Sequence, residues 1–378
     1  MKVRRILIIS AWLPGGGVET ALINFHNVIS SDLYEVKVVA LSSALDWKWY
    51  SNSSINIGFY DIYRNVGDLN VIFTLQNIGK IWKTLKRIIL FNQPTVVLST
   101  HTFLNIIFPI IHRIDRSIIC AYWPQNKLNY TEKTAGILAK ANLRRLFKIR
   151  YYSTLIGLAD IAFCISSEIK YQIEFLSNTK CKLLFHPIET HTYDLYSYPK
   201  QLRLLFIGRL DSRKNVRELL NSLGTLHNLE WRLDIIGDGP LKSELMALSR
   251  KLKIENRINW FGYLKEPFGL REKYSALVLT SQAEGFPMVV MQSLLRGLPI
   301  ICPQKLSVYD DVVMEGINGY GYDESKSNNL MESIRKLKML NKFSPNEIRA
   351  DTLKRFGSKS YIQRFNNSIN LLNHNSLK

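Results

Sequence analysis

The sequence predicts an α/β chain: two Rossmann-like parallel-sheet domains facing each other across a cleft. Three observations carry this. Short apolar runs of strand length alternate with longer segments of helical periodicity in both halves. The alternation breaks over residues 186–200, which hold Pro187, Pro199 and several tyrosines, and restarts at Leu202. Glycine, proline and charged residues collect just after the apolar runs, where ligands bind in sheets of this kind. The chain of 378 residues is long enough for two cores. The expected division is residues 1–187, a linker at 188–200, and a second domain at 201–356. A terminal helix at 357–378 is expected to complete the first domain.

The first half begins with a strand at residues 3–9. Pro14-Gly15-Gly16-Gly17 follows as a glycine loop, then a helix at 18–29 opened by Glu19 and Thr20. Gly16 and Gly17 would let backbone N–H groups approach a ligand closely, although the GxGxxG fingerprint is absent. Residues 36–41 read as the second strand. A helix at 69–91 sets Ile81, Leu85, Ile88 and Ile89 against Lys80, Lys83, Lys86 and Arg87. A strand at 95–99 leads to His101, and one at 118–123 opens into Pro124-Gln125-Asn126-Lys127. A second basic helix is expected at 137–152, then strands at 161–165 and 182–185.

The second half reads as strand 202–207, helix 216–226, strand 231–236, helix 241–253 and strand 258–261. An apolar strand at 276–279 runs into Ser281-Gln282-Ala283-Glu284-Gly285-Phe286-Pro287-Met288, where proline is placed to open a helix. Helix N–H groups at a strand's C-terminal end suit phosphate. The acid at that spot, Glu284, suits a ligand whose charge adjoins a polyhydroxylated part, such as a nucleotide sugar. Residues 352–372 read as one helix packing back on both domains.

Composition narrows the partners. Net charge is +19, of which +10 lies in residues 1–189. That excess favours phosphorylated substrates, polyanions or an anionic membrane surface. Nucleic acid is disfavoured, because no recognition helix, zinc site or stacking-aromatic strand motif is present. The four cysteines, Cys120, Cys164, Cys181 and Cys302, have no CxxC spacing and read as reduced thiols of a cytoplasmic protein. No stretch approaches the roughly 20 apolar residues of a membrane span.

In order and spacing, five pieces of the second half resemble the retaining glycosyltransferases of family 4. They are Phe206-Ile207-Gly208-Arg209-Leu210 with Lys214-Asn215, Ile236-Gly237-Asp238-Gly239-Pro240, Phe261-Gly262-Tyr263-Leu264, Glu284-Gly285-Phe286-Pro287-Met288, and Gly316-Ile317-Asn318-Gly319 with Gly321. Gly16-Gly17-Val18-Glu19-Thr20 fits as well, and residues 231–299 are most similar to bacterial enzymes that add a hexose to lipopolysaccharide core. The resemblance implies the two-domain GT-B fold and transfer of a galactose-, glucose- or N-acetylglucosamine-type sugar from a UDP-linked donor. The acceptor it implies is a lipid-linked surface glycan of the lipopolysaccharide, O-antigen or capsule kind, at the inner face of the cytoplasmic membrane. It also implies site residues. Arg209 and Lys214 would neutralise the diphosphate, and Glu284 would bind the sugar hydroxyls. Gly16, Gly17, Gly208, Gly237, Phe286, Pro287, Met288, Val289 and Gln292 would frame the donor. Asp238 is expected to cap the helix after it.

No DxD metal motif stands in a donor context, so no metal and no cofactor are expected. Two positions depart from the family. Gln292 replaces the second glutamate, which holds the ribose, and Gln125 stands where related sequences carry a histidine. An amide can still exchange hydrogen bonds with hydroxyls but carries no charge. His101 and Gln125 are the acceptor-side candidates. These departures leave open a catalytically weakened scaffold that binds glycan or membrane. A phosphorylase or nucleotide-sugar epimerase on the same double fold is the other enzyme class, and no lysine–pyridoxal context supports the former.

Overall fold

A computed structural model describes all residues except 1–2, 12–16, 31–32, 43–56, 61, 63–70, 126–127, 129–139, 189–192, 270–272, 307, 327–328, 341–342 and 376–378. The chain forms two compact units, Met1–Glu189 with Phe356–Lys378, and Thr190–Arg355.

The first unit holds strands β1 (Arg4–Ser10), β2 (Tyr34–Ala40), β3 (Ile57–Phe59), β4 (Val96–Ser99), β5 (Ile119–Tyr122), β6 (Ile161–Cys164) and β7 (Lys180–Leu183). Its helices are α1 (Gly17–Ile29), α2 (Val71–Gln76), α3 (Ile78–Asn92), α4 (Phe108–Ile114), α5 (Lys140–Ile156) and α6 (Ser167–Leu176). The sheet order is β3-β2-β1-β4-β5-β6-β7, with parallel pairing throughout. β4, β5 and β6 are buried along their whole length, which is why they read as unbroken apolar runs rather than alternating ones. At the strands' N-terminal edge, Asp160 accepts the Cys120 amide at 2.7 Å and pairs with His112 at 3.2 Å, tying the starts of β5 and β6 together.

The second unit holds β8 (Leu202–Ile207), β9 (Trp231–Ile236), β10 (Ile258–Gly262), β11 (Ala276–Val278), β12 (Ile300–Pro303) and β13 (Gly319–Tyr322). Its helices are α7 (Val216–Gly224), α8 (Lys242–Lys251), α9 (Met288–Leu295), α10 (Tyr309–Val312), α11 (Asn329–Leu340) and α12 (Pro345–Phe356). The strands run β10-β9-β8-β11-β12-β13, again all parallel.

Several elements differ from the sequence expectation for identifiable reasons. β7 lies two residues earlier than expected. Leu184 and Phe185 are buried past its end, Phe185 packing on Phe356, so the apolar run marks a loop core rather than a strand. The expected helix at 137–152 is α5, which runs on to Ile156. The single helix expected at 352–372 is two, because Gly357 leaves the helical path to bridge Ile188. The second of them, α13 (Ser358–Asn375), belongs to the first unit: Phe365 packs on Phe25, Tyr34 and Phe163. The described part of the expected linker is not free chain. The Tyr196 amide donates to the Arg296 carbonyl at 2.9 Å, and the Tyr198 hydroxyl to that of Gly297 at 2.8 Å. Residues 102–114 and 167–176, given no element in the sequence reading, form a 3-10 turn with α4, and α6.

Candidate active site

In the second sheet the strand order reverses between β8 and β11, and open α/β sheets bind ligands outside the strand ends at such a switch point. The loops after these two strands lock together. Asp211 caps a short 3-10 turn at residues 212–214, its Oδ1 accepting the amides of Arg213 (3.1 Å) and Lys214 (3.2 Å). Asn215 then takes the left-handed conformation (φ 46°) and turns the chain into α7. From the β11 side, the Thr280 hydroxyl donates to the Lys214 carbonyl and the Gln282 amide to that of Arg213, both at 2.8 Å.

This double grip brings Lys214 and Glu284 together. Nζ lies 2.5 Å from Oε1, with the side chains only 22% and 14% exposed. Arg209 lies in the same loop as Lys214, 68% exposed, with Asp211 at 3.7 Å. The resulting site has one shielded ion pair and one solvent-facing guanidinium. Asp211 and Thr280 are positioning residues that sequence reasoning missed. The aspartate three residues before Lys214 was the available signal.

Gly208 and Gly237 serve the packing of two loops. The Gly208 amide donates to the Ile236 carbonyl (3.0 Å) and the Leu210 amide to that of Asp238 (2.9 Å). A Cβ on Gly237 (φ 143°) would lie 1.9 Å from the Gly208 carbonyl oxygen. Asp238 does not cap α8. It accepts the Gly239 amide at 2.8 Å and pairs with Lys242, in the first turn of that helix, at 2.9 Å.

Helix α9 starts straight after Pro287 with no side-chain cap, so its first-turn amides, including those of Met288 and Val289, point outward from the helix start. The side chains of Phe286 and Met288 are buried. Any ligand contact from them runs through backbone. Gln292 is half-buried in the helix that Glu284 precedes.

In the first unit the order reverses between β1 and β4. Gly17 opens α1 beyond β1, whereas Gly16 lies outside the described residues. His101 follows β4, with Nδ1 2.9 Å from the Thr100 hydroxyl, and burial lowers its pKa to about 4. It is therefore neutral near pH 7. Gln125, past β5, is buried. Its Nε2 donates to the Trp123 carbonyl at 3.2 Å, and its Oε1 has no partner. Behind it His186, edge-on to Trp123, is pushed to about 3 by burial.

Both histidines bind protons more weakly folded than unfolded, so the unfolded state takes up more protons as pH falls. The stability of the first unit is expected to decline from about pH 6.5 toward pH 3–4, and His186→Phe to flatten part of that slope in denaturant titrations.

With its two doubly wound parallel-sheet units, this chain has the GT-B fold. It matches the lipopolysaccharide outer core galactosyltransferase WaaB with a TM-score of 0.77, over 97% of this chain and 99% of that one, at 24% identity. It matches Anabaena Alr3699/HepE, solved in complex with UDP, with a TM-score of 0.77 over the same shares at 16% identity. Residues 189–354, which span the second unit, match the family model of glycosyl transferases group 1. The chain is also 30% identical over 228 residues to the lipopolysaccharide 1,6-galactosyltransferase of Salmonella typhimurium. That alignment covers 58% of this chain and 63% of the relative's length.

Proposed function

We propose that the chain is a retaining, metal-independent hexosyltransferase. It moves a galactose-, glucose- or N-acetylglucosamine-type sugar from a UDP-linked donor to a lipid-linked bacterial surface glycan. The observation that carries this is the shielded Lys214–Glu284 pair at the β8/β11 switch point, with Arg209 in the β8 loop that also holds Lys214 and the start of α9 following Glu284. Lys214 and Arg209 take the donor diphosphate, and the α9 amides hold its phosphate oxygens. Glu284 accepts hydrogen bonds from the sugar hydroxyls, and Gln292 exchanges them with the ribose.

As the bond from the anomeric carbon to the β-phosphate oxygen breaks, charge grows on the diphosphate where the two fixed cations stand. The acceptor hydroxyl bonds to the anomeric carbon on that same face and gives its proton to the departing diphosphate. Configuration is thereby retained without an enzymatic nucleophile. The lipopolysaccharide galactosyltransferase activities of the Salmonella relative and of WaaB, and the UDP bound to HepE, support the sugar, the acceptor class and the nucleotide. A mass-spectrometric screen of nucleotide sugars, with EDTA present, tests the reading. Nucleotide release from a UDP-hexose supports it. Silence with every donor favours instead the weakened binding scaffold that Gln125 and Gln292 suggest.

The acceptor implies a peripheral position on the inner face of the cytoplasmic membrane. No helix among the described residues is long and apolar enough to cross a membrane. Two features support surface attachment. Packed helices α5 and α6 expose Leu146, Phe147, Tyr171 and Phe175, and the exposed cations Lys148 and Arg150 stand beside Phe147. Aromatic rings with flanking cations suit an anionic headgroup layer. The protein is expected to float with phosphatidylglycerol vesicles at low salt, and Phe147→Asp with Phe175→Asp to abolish flotation. Wild-type protein left at the bottom of the gradient refutes the attachment.

A further inference from the structure

Arg296, the residue that ends α9, joins three segments that are distant in sequence. Its guanidinium lies 3.8 Å from the centre of the Tyr193 ring and 4.4 Å from that of Phe268, so the plane is flanked by two aromatics. Nη1 donates to the Gln292 carbonyl at 2.8 Å, within the last turn of the helix. The Arg296 carbonyl accepts the Tyr196 amide at 2.9 Å. Phe268 belongs to the loop that leaves β10 after Gly262, and Tyr193 and Tyr196 belong to the segment that enters the second unit.

Arg349 reinforces the junction, with Nε donating to the Leu295 carbonyl at 2.6 Å and Nη2 to that of Tyr193. The C-terminal end of α9 is thus held by two arginines, while its N-terminal end follows the Glu284 turn.

We infer that Arg296 is a positioning residue for donor binding: its flanked guanidinium fixes the loop after β10 and the setting of α9 to the entering segment. The inference rests on the donor reading above, since α9 carries Gln292 and the phosphate-facing amides. Loop 263–269 leaves the strand neighbouring β9, on the side of the switch point away from β11. With Arg296 gone, Phe268 loses its partner and the loop loses its tie to α9. The Gln292 carbonyl also loses its donor. A lysine keeps the charge but not the plane that two rings can flank.

The test uses the full chain and two readouts: hydrogen exchange of amides 263–269, and UDP affinity by calorimetry with matching donor KM and kcat. For Arg296→Ala, exchange in the loop and the UDP Kd are each expected to rise by about tenfold, with kcat within about threefold of wild type. Arg296→Lys is expected to recover less than half of either change. An Arg296→Ala protein that keeps wild-type loop exchange and UDP affinity overturns the inference. Full recovery by lysine overturns it too, because charge alone would then suffice. Wild-type chain that takes up no UDP sinks the donor reading itself, and this inference with it.

Discussion

Lys214→Ala is expected to lower kcat/KM for the donor by about 10²–10³-fold, the range seen when one hydrogen-bond donor to a developing oxyanion is removed. The geometry argues for the upper part of that range. Lys214 Nζ sits 2.5 Å from Glu284, and neither side chain is more than 22% exposed. Removing the ammonium takes a fixed cation from the expected diphosphate position and leaves the shielded Glu284 carboxylate without its ammonium partner, next to an anionic ligand. Lys214→Arg keeps the charge but brings a longer, planar group into a turn pinned by Asp211 and Thr280, so only partial recovery is expected. Steady-state kinetics with circular dichroism as a folding control measures the effect. A loss under threefold contradicts the assigned role.

Gly237→Ala is expected to destabilise the second unit by about 3 kcal/mol, lowering its melting temperature by roughly 5–10 °C. Two costs combine. The φ of 143° is closed to residues with a side chain, and the new methyl carbon would meet the Gly208 carbonyl oxygen at 1.9 Å. The backbone at Gly208 cannot retreat freely, because its amide is bonded to Ile236 and the next loop residues to Asp238. Activity is expected to fall with it, since the displaced loop carries Arg209 and Lys214. Gly316→Ala, at φ 74° but with open space around it, carries the backbone cost alone and is expected to destabilise less. Calorimetric melting of the two variants side by side checks the difference.

Much of the fold was readable because parallel strands buried on both faces leave continuous apolar runs. β8 and β9 have the bounds that Leu202, Ile207, Trp231 and Ile236 suggest, each followed by a glycine where the loops meet. The same logic misplaced β7, since Leu184 and Phe185 are buried past its end, Phe185 by packing on Phe356 at the end of α12. Helices α4 and α6 were missed. α4 opens with Phe108-Pro109 inside a longer apolar stretch, which hides its period.

At the candidate site, residue types were legible and partnerships were not. Lys214 and Glu284 can be picked from their motifs, but nothing local says that side chains 70 positions apart meet each other. The roles of Gly237 and Asp238 were blurred for the same reason. Glycine and aspartate after a strand suit a ligand turn or a helix cap equally well, and only the β8 loop lying against them decides for packing and for Lys242. Arg296 carries no sequence signal, because its partners come from three separate segments.

On the proposed reading, the second unit holds a nucleotide-diphosphate sugar at the β8/β11 switch point by cations of its own, without a metal. The most direct test of that reading is donor turnover by the wild-type chain and by Arg209→Ala, compared in EDTA with the same UDP-hexose. Arg209 is exposed, so its loss leaves the fold intact and isolates the electrostatics. Wild-type release of UDP in EDTA, with the variant slower by about tenfold or more, is the predicted result. Equal rates for the two proteins, or wild-type turnover that requires a divalent cation, would contradict it.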